Sequence, residues 1–355
     1  MAHKIGLIGC GGISSVWIDA VEATSDCHIA LTYDVDTEAA TRRAAEIGAQ
    51  PATTLEGLLS SKDIDLVIIG TPTFTHPDLV VQAAEAGKHI LCEKPMALNL
   101  NDCQRMIDAC ATGHVKLAIG HSLRFWGAFL KIRDLIKADA IGTPSIGQIH
   151  RMGPAKVTPA DAEEQNNLAP WRKDTRYSGG NILEGSIHEL DFSRAIFGEV
   201  ASVYCTVSGK ETYGAYRSPL VIQAQVAYEA KSAATLRMGG IVAFPCNGTW
   251  IGGTKGTLAF DAWNGPVSYH KPDATEPDLI SCDPTSAYEL ELRDLLQAIA
   301  SDNEPENSGL NGKKNIGLGL AMYHSMAQGQ RIDFEDGLPI GVTGDYQYEG
   351  PFGIK

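Results

Sequence analysis

The chain has 355 residues, of which 44% are hydrophobic and 20% charged, and it carries a formal net charge of −14. This acidity argues against nucleic acid or an anionic membrane surface as a partner. The length predicts two domains rather than one, and no run of about eighteen apolar residues is present to cross a bilayer.

The cysteines give a second general constraint. The eight cysteines, at positions 10, 27, 92, 103, 110, 205, 246 and 282, include no C-x-x-C pair. Because most of them fall in apolar segments, we expect reduced thiols, without disulfides or structural zinc, as is typical of a cytoplasmic protein. The chain enters an apolar strand almost at once, so we expect no signal peptide.

The first third of the chain alternates short apolar runs with helical patterns. Strands are predicted at 5–8, 29–33, 66–69, 89–92 and 117–119, and helices at 13–24, 37–47, 77–86 and 99–111. Such alternation is typical of an α/β fold with a parallel, doubly wound sheet of the Rossmann type. We therefore expect a nucleotide-binding domain over residues 1–122 and a second domain over 123–355.

The turn after the first strand reads GLIGCGGISS, with Gly9, Gly11 and then Ser14 where a G-x-G-x-x-G fingerprint has its third glycine. The first glycine permits a tight bend, the second lets the backbone approach a pyrophosphate, and a small third residue packs helix against sheet. Backbone N–H groups at the helix N-terminus then hold the phosphates. The second strand ends at Asp34, an acid suited to the adenosine ribose hydroxyls, which favours NAD over NADP. The alternative is that Asp34 only forms the turn.

The next two strands also end in distinctive residues. The third runs into TPTFTHPDLV, where Thr75 and Pro77 predict a capped helix start, while Thr71 and Pro72 lie at the ligand-binding end of the sheet. The fourth runs into CEKPMAL. Lys94 in this motif has one of two roles. Either it takes part in the chemistry, or it forms a surface ion pair with Glu93 ahead of Pro95, which starts a helix.

After residue 122 the pattern changes to a helix followed by strands. Strands are predicted at 146–151, 200–208, 220–228, 232–238, 247–252 and 256–261, and helices near 286–302 and 310–326. Alternation such as LVIQAQVAYEA favours an antiparallel sheet with distinct faces, and GGTKGTLAFDA predicts a hairpin. We expect the two helices to pack back on the first domain and residues 330–355 to form an arm or loop.

The stretch GGNILEGSIHELDFSRAIFG predicts one helix that ends at Gly198. Its apolar stripe consists of Leu183, Ile187 and Leu190. Beside this stripe run Glu184, His188 and Asp191, so that Glu184 and His188 are expected to be neighbours on one face. A carboxylate beside a histidine favours the protonated imidazole, which suits a base that removes a hydroxyl proton. A structural ion pair is the alternative.

Four motifs, GLIGCGGISS, TPTFTHPDLV, CEKPMAL and GGNILEGSIHELD, occur in the order seen in the Gfo/Idh/MocA (glucose–fructose oxidoreductase/inositol dehydrogenase) family, which this chain resembles. The resemblance implies an N-terminal Rossmann domain and a C-terminal α/β domain with a large, open, mostly antiparallel sheet. It also implies NAD(P)-dependent chemistry at a hydroxyl of a sugar, cyclitol or related diol, in a dimer or tetramer joined through that sheet.

The resemblance further implies roles for individual residues. It places Lys94 beside the nicotinamide, in contact with the reacting oxygen, and implies that the Lys94–Pro95 peptide is often cis. His188 removes the hydroxyl proton, and Glu184 orients His188 or Lys94. The chain departs from the family at Glu184, usually aspartate, and at Ser186, usually glycine, which leaves the role of Glu184 less defined. The implied cofactor site consists of Gly9, Gly11, Gly12, Ile13, Asp34, Thr71, Pro72, His76, Glu93 and Lys94.

Substrate contacts are expected from two places. The polar segment 151–178 is a candidate lid in which Trp171 and Arg172 contact hydroxyls, although a subunit-contact loop is equally compatible. His121 and Arg124, at the end of the last Rossmann strand, are expected to face the substrate. Asp191 either belongs to the polar face of Glu184 and His188 or is a helix-surface acid that contacts the cofactor domain. The histidines show no H-x-H or H-E-x-x-H pattern, so we expect no metal.

Together the motifs predict an NAD-dependent dehydrogenase that oxidises, or reversibly reduces, a secondary ring hydroxyl of a sugar, sugar derivative or cyclitol. Two alternatives stay open. One is an NAD-dependent glycoside hydrolase that oxidises the sugar transiently and regenerates NAD. The other is a non-catalytic NAD-binding sensor, although Lys94 and His188 are both present. We expect a homodimer or homotetramer in the cytoplasm, with a small polyol or sugar as its substrate.

Overall fold

A computed structural model describes residues 3–154, 169–208, 221–242 and 246–342, together with the pairs 348–349 and 353–354. The chain divides into two compact units. The first comprises Met1–Ser122 and Thr285–Lys313, and the second comprises Leu123–Pro284 and Lys314–Lys355. A single division after residue 122 would assign 285–313 to the second domain, whereas their contacts place them in the first unit.

The strands described in the first unit form one parallel sheet. They are His3–Ile8 (β1), Cys27–Tyr33 (β2), Gln50–Pro51 (β3), Leu66–Ile69 (β4), His89–Glu93 (β5) and Leu117–Gly120 (β6). Their order is β3-β2-β1-β4-β5-β6, with every neighbouring pair parallel. This confirms the predicted doubly wound sheet. In such a sheet the strand order reverses between β1 and β4, and ligands bind outside the carboxyl ends of the strands at that point.

Five described helices connect these strands, and four of them lie where the hydrophobic periodicity predicts them. They are Gly12–Glu22 (α1), Thr37–Ile47 (α2), Leu55–Leu59 (α3), His76–Glu85 (α4) and Leu100–Thr112 (α5). The Asp36 and Asn99 side chains cap α2 and α5 by accepting N–H bonds from the first turn. Strand β3 and helix α3 were not predicted, because two and five residues are too few to show a periodic pattern.

The second unit opens with Gly127–Lys137 (α6), Pro144–Pro154 (β7), Thr175–Ser178 (α7) and Ile187–Phe197 (α8). Further strands follow at Val200–Ser208 (β8), Val221–Tyr228 (β9), Ala233–Val242 (β10), Cys246–Asn247 (β11), Thr249–Gly253 (β12), Thr257–Phe260 (β13), Val267–His270 (β14) and Asp278–Ile280 (β15). The remaining elements are Ala287–Ser301 (α9), Gly309–Gln328 (α10), Ile332–Glu335 (β16), Leu338–Pro339 (β17), Tyr348–Glu349 (β18) and Gly353–Ile354 (β19).

A large mixed sheet dominates this unit. Its order is β15-β14-β13-β12-β7-β10-β9-β8-β16-β17, and β11 pairs with β7. The β7–β10 pair is parallel, and the other described pairs of this sheet are antiparallel. Along β9, Ala224, Val226 and Tyr228 are buried whereas Gln223 and Gln225 are exposed. The alternating pattern therefore predicted a sheet with one buried face correctly, and the predicted hairpin is β12–β13.

The C-terminal part corrects two expectations. Helix α9 lies in the first unit, as predicted, but most of α10 lies in the second. Residues 330–355 were expected to form an arm or loop, yet β16 pairs with β8 and extends the sheet because Ile332 and Asp333 take up its register. No helix in the described ranges is long and apolar enough to span a membrane.

Candidate active site

The glycine turn lies between β1 and α1. Gly9 has φ +94°, and a Cβ placed there would lie 2.7 Å from the Gly70 carbonyl oxygen, so only glycine fits. Ser14 is fully buried, and its hydroxyl donates to the Gly11 carbonyl over 2.6 Å. A small residue at the third position of the fingerprint therefore packs as predicted.

The Asp34 carboxylate links the end of β2 to this turn. It accepts the backbone N–H of Cys10 over 2.7 Å and that of Asp36 over 2.9 Å. Burial and the Asp34 charge together raise the pKa of the Cys10 thiol to about 11, so this cysteine is a neutral packing group. Asp34 itself is half-buried, which leaves carboxylate surface for a ligand hydroxyl.

These residues fit a dinucleotide. Helix α1 begins at Gly12 with no side chain capping it, and a Cβ on Gly11 or Gly12 would meet nothing within 4 Å. The first N–H groups of a helix lack intrahelical partners and attract anions. An open, glycine-lined helix start beside an acid at the end of β2 is the donor and acceptor set that a pyrophosphate and a ribose need.

The turn after β4 differs from its prediction in one respect. Thr75 does not cap α4. Its hydroxyl donates to the Pro72 carbonyl over 2.7 Å and lies 2.8 Å from the Thr71 hydroxyl, because residues Thr73–Thr75 form a 3₁₀ turn that directs it backwards. Pro77 stands in the first turn of α4, as predicted. Thr71 and Pro72 remain half-buried at the ligand-binding edge.

His76 joins this turn to the Lys94 segment. Its Nε2 lies 2.9 Å from the Thr71 carbonyl and its Nδ1 lies 3.0 Å from the Pro95 carbonyl. The side chain is fully buried, and burial lowers its pKa. His76 therefore contacts the protein's own backbone, whereas the resemblance implied a cofactor contact.

Lys94 is the one partly exposed side chain in a run of eight otherwise buried residues. From Ile90 to Ala97 each residue except Lys94 is buried, and the Lys94–Pro95 peptide is cis, as the resemblance implied. The buried Glu93 carboxylate accepts the backbone N–H of Lys94 over 3.0 Å and the indole N–H of Trp17 over 2.8 Å. Strand β5 thus delivers one ammonium to the edge of the sheet, on a backbone held by buried groups.

In the second unit, the expected single helix is broken. Asn181–Gly185 forms a π-helical turn in which the Ser186 N–H donates to the Asn181 carbonyl over 2.9 Å, and α8 begins only at Ile187. We attribute the break to a residue distant in sequence, because Arg151 on β7 donates to the Gly185 carbonyl over 2.5 Å. Regular helical spacing therefore does not set the relation between Glu184 and His188. Single-turn π segments are frequent at functional sites.

Glu184 and His188 are nevertheless distinguished by exposure. Within 182–190, Glu184, Gly185 and His188 are half-buried and every other residue is buried, including the predicted apolar stripe. The Glu184 carboxylate pairs with the Arg172 guanidinium, with Nε and Oε1 3.3 Å apart. Arg172 also stacks over the Trp171 ring at 5.1 Å from its centroid. The structure thus brings together three of the predicted site residues, while 155–168 of the candidate lid lie outside the described residues.

Asp191 is fully buried within the second unit, which rules out the surface position that was one of its two alternatives. It accepts two bonds from Arg124, over 2.7 and 2.9 Å, and a third from Asn315 over 2.6 Å. This bidentate pair uses two of the five guanidinium N–H donors of Arg124 and fixes the direction of its side chain. The predicted substrate contact of Arg124 would have to come from its remaining donors. His121, the other predicted contact from this strand end, is also buried.

Three residues that hold Glu93, the Gly185 carbonyl and Asp191 in place were not predicted from the sequence. Trp17, Arg151 and Asn315 each contact a site residue from a distant part of the chain. Trp17 is a helix-face aromatic, and Arg151 and Asn315 are polar residues in a strand and a helix, so no local pattern marks them.

Two family models match the chain. "Oxidoreductase family, NAD-binding Rossmann fold" matches residues 3–121, and "GFO/IDH/MocA C-terminal domain" matches residues 129–259. The 1,5-anhydro-D-fructose reductase of Ensifer adhaerens is 27% identical over 95% of this chain and all of its own. The 2,7-anhydro-N-acetylneuraminate hydratase of Escherichia coli K12 is 29% identical over 72% of this chain and 67% of its own. The crystal structure of a putative myo-inositol dehydrogenase from Sinorhizobium meliloti 1021, at 26% identity, covers 94% of this chain and all of its own with a TM-score of 0.78.

The chain belongs to the Gfo/Idh/MocA family of NAD-binding oxidoreductases. The sequence motifs identified this family correctly, and NAD is its cofactor.

Proposed function

We propose that the protein is an NAD-dependent dehydrogenase that oxidises, or reversibly reduces, a secondary ring hydroxyl of a sugar, sugar derivative or cyclitol. The observation that carries this proposal is the Lys94 turn. A single accessible lysine stands in a buried run, and His76 joins its turn to the end of β4, where the strand order reverses. The names of the reductase and the putative inositol dehydrogenase among the relatives support a ring substrate.

The roles of the chain's own residues follow from their chemistry. The Lys94 ammonium stabilises a developing alkoxide more than the neutral alcohol, which lowers the barrier. His188 takes the hydroxyl proton on a ring nitrogen, and the Glu184 carboxylate favours the resulting imidazolium. NAD, held at the glycine turn and by Asp34, would accept the hydride from the carbinol carbon. Trp171 and Arg172 contact the remaining hydroxyls.

A reaction without net oxidation is the second candidate, because one relative is named a hydratase. In that case transient oxidation makes a proton beside the ketone removable, elimination or glycoside cleavage follows, and the hydride returns to the sugar. The same lysine and histidine would serve both reactions, so the positions of these residues do not distinguish them. The accumulation of NADH during turnover does.

The experiment is a panel of polyols, sugars and glycosides incubated with NAD, read by NADH absorbance and by product analysis. Accumulating NADH with a ketone product supports the dehydrogenase. Product without NADH supports the second candidate, and NAD binding without any turnover supports a sensor and contradicts both. The native protein should bind NADP more weakly than NAD. Asp34→Ala should reduce the ratio of the two Kd values, chiefly because it weakens the binding of NAD.

We also infer that the protein is a cytoplasmic homodimer or homotetramer packed through the large sheet. One row of side chains crosses its exposed face through the register pairs Tyr204, Gln225, Thr235, Gln148 and Trp250. The row is more polar than the sequence suggested. Tyr204 at one end and Trp250 at the other nevertheless provide large side chains of the kind enriched at protein–protein interfaces. A monomeric mass by light scattering at micromolar concentration would contradict this inference.

A further inference from the structure

Glu93 precedes Lys94 and is buried where a charged side chain is costly. It is 6% exposed, and its two carboxylate oxygens accept bonds from different elements. Oε1 accepts the Trp17 indole N–H over 2.8 Å, and Oε2 accepts the Lys94 backbone N–H over 3.0 Å. A carboxylate kept in such a place needs a reason beyond packing, because an apolar side chain would fill the space without the cost of desolvation.

The surroundings fix this carboxylate. A Cβ on Gly120 would lie 3.3 Å from the Glu93 carboxyl carbon, so the glycine at the end of β6 provides the space that the carboxyl group occupies. Trp17 is fully buried, and its ring meets the edge of Tyr288 with centroids 5.1 Å apart. Neither partner of the carboxylate can move without disturbing packed neighbours.

The connection runs from the cofactor end of α1 to the lysine. Trp17 is in the second turn of α1, which begins at Gly12 directly after the glycine turn. Through Trp17 and Glu93, the peptide of Lys94 is therefore tied to the same helix whose first turn is suited to phosphates. On the other side of Lys94, the Pro95 carbonyl lies beside His76.

We propose that Glu93 is a positioning residue: its carboxylate fixes the Lys94 peptide against α1, so that the ammonium leaves the turn in one direction, and it does not itself contact the cofactor. This inference rests on the proposed role of Lys94. It replaces the cofactor contact that the family resemblance implied for Glu93.

The test is a double-mutant cycle between Glu93→Gln and Lys94→Ala. The amide keeps the size of Glu93 but turns one acceptor into a donor, which opposes either the Trp17 or the Lys94 N–H. Because small misplacements of a catalytic group cost about 10²-fold, we expect Glu93→Gln to lower kcat by about 10- to 100-fold with KM and the Kd for NAD within twofold. In the Lys94→Ala background the same change should have almost no further effect. An equal loss in both backgrounds, or a weaker Kd for NAD, overturns the proposal.

A second measurement needs no substrate, so it separates failure of this inference from failure of the proposed function. Amine labelling of Lys94, followed by mass spectrometry, should become faster in Glu93→Gln, because a loosened turn admits the reagent more often. Labelling of the exposed Lys255 should not change. Trp17→Phe, which removes the indole donor together with part of the buried ring, should change Lys94 labelling in the same direction. The matched control is Glu22→Gln, which neutralises an exposed acid on the same helix and should leave both readouts unchanged. Unaltered Lys94 labelling in Glu93→Gln overturns the proposal.

Discussion

The segment that presents Lys94 and the segment that presents Glu184 and His188 are held in place by different means. Lys94 sits at the end of a fully paired parallel strand, between buried neighbours whose contacts are largely to backbone. Glu184 and His188 sit at the junction of a π-helical turn and an α-helix, which arginines hold from outside. Buried groups hold the first segment, whereas partly exposed arginines hold the second, so we expect salt and pH to affect the second segment more than the first.

The largest expected effect comes from removing either reacting group. Lys94→Ala and His188→Ala should each lower kcat by about 10²–10⁴-fold, since each removes a positioned group that acts in proton transfer. The Kd for NAD, measured by calorimetry, should change little. Lys255→Ala, which removes an exposed lysine of the second unit, is the control. Near-native turnover of Lys94→Ala would exclude Lys94 from the reaction.

The second unit also contains an ion pair between the fully buried Asp191 and Arg124, whose side chain is 12% exposed. Asp191→Ala would leave the Arg124 guanidinium without its bidentate partner, and we expect a loss of unfolding free energy of up to about 3–5 kcal/mol, the range for breaking a fully buried pair. Denaturant titration measures this loss. Lys271→Ala breaks an exposed ion pair with Asp278 and should cost less than about 1 kcal/mol. Equal losses in the two variants would show that burial does not decide the strength of these pairs.

The exposed ion pair between Arg172 and Glu184 should give smaller effects. Arg172 is 47% exposed, so salt screens the pair. We expect Arg172→Ala to change kcat by less than about tenfold and to remove most of its dependence on ionic strength. Glu184→Gln should be milder than His188→Ala and should move the pH optimum downwards, because in the proposed mechanism the imidazolium of His188 loses the stabilising negative charge of Glu184. A pH profile of Glu184→Gln identical to that of the native protein would exclude Glu184 from proton transfer.

The smallest expected effect is on stability against acid. Burial lowers the pKa values of His76, His89, His150 and His324, so the unfolded chain binds more protons than the folded one near and below pH 6.5. The free energy of unfolding should therefore rise from pH 5 to pH 7. His76→Asn should flatten this rise. A native protein that becomes more stable towards pH 5 would contradict the assignment of neutral buried histidines.

The same comparison explains what the sequence could predict. The first unit follows local signals, since the glycine turn, the strand-end Asp34 and the alternation of strands and helices each mark a position that its own neighbours determine. The break at Ser186 has no such signal, because its cause is Arg151, more than thirty residues earlier in the chain. Likewise the burial of Asp191 depends on Arg124 and Asn315, which no helical spacing around Asp191 reveals.

Whether Lys94 and His188 act in one step is measured by the Lys94→Ala/His188→Ala double variant, assayed with the substrate found in the panel. If the two side chains serve one proton transfer, kcat of the double variant should fall far less than the product of the two single losses. Losses in kcat that multiply fully would contradict the account, because the two side chains would then act in independent steps.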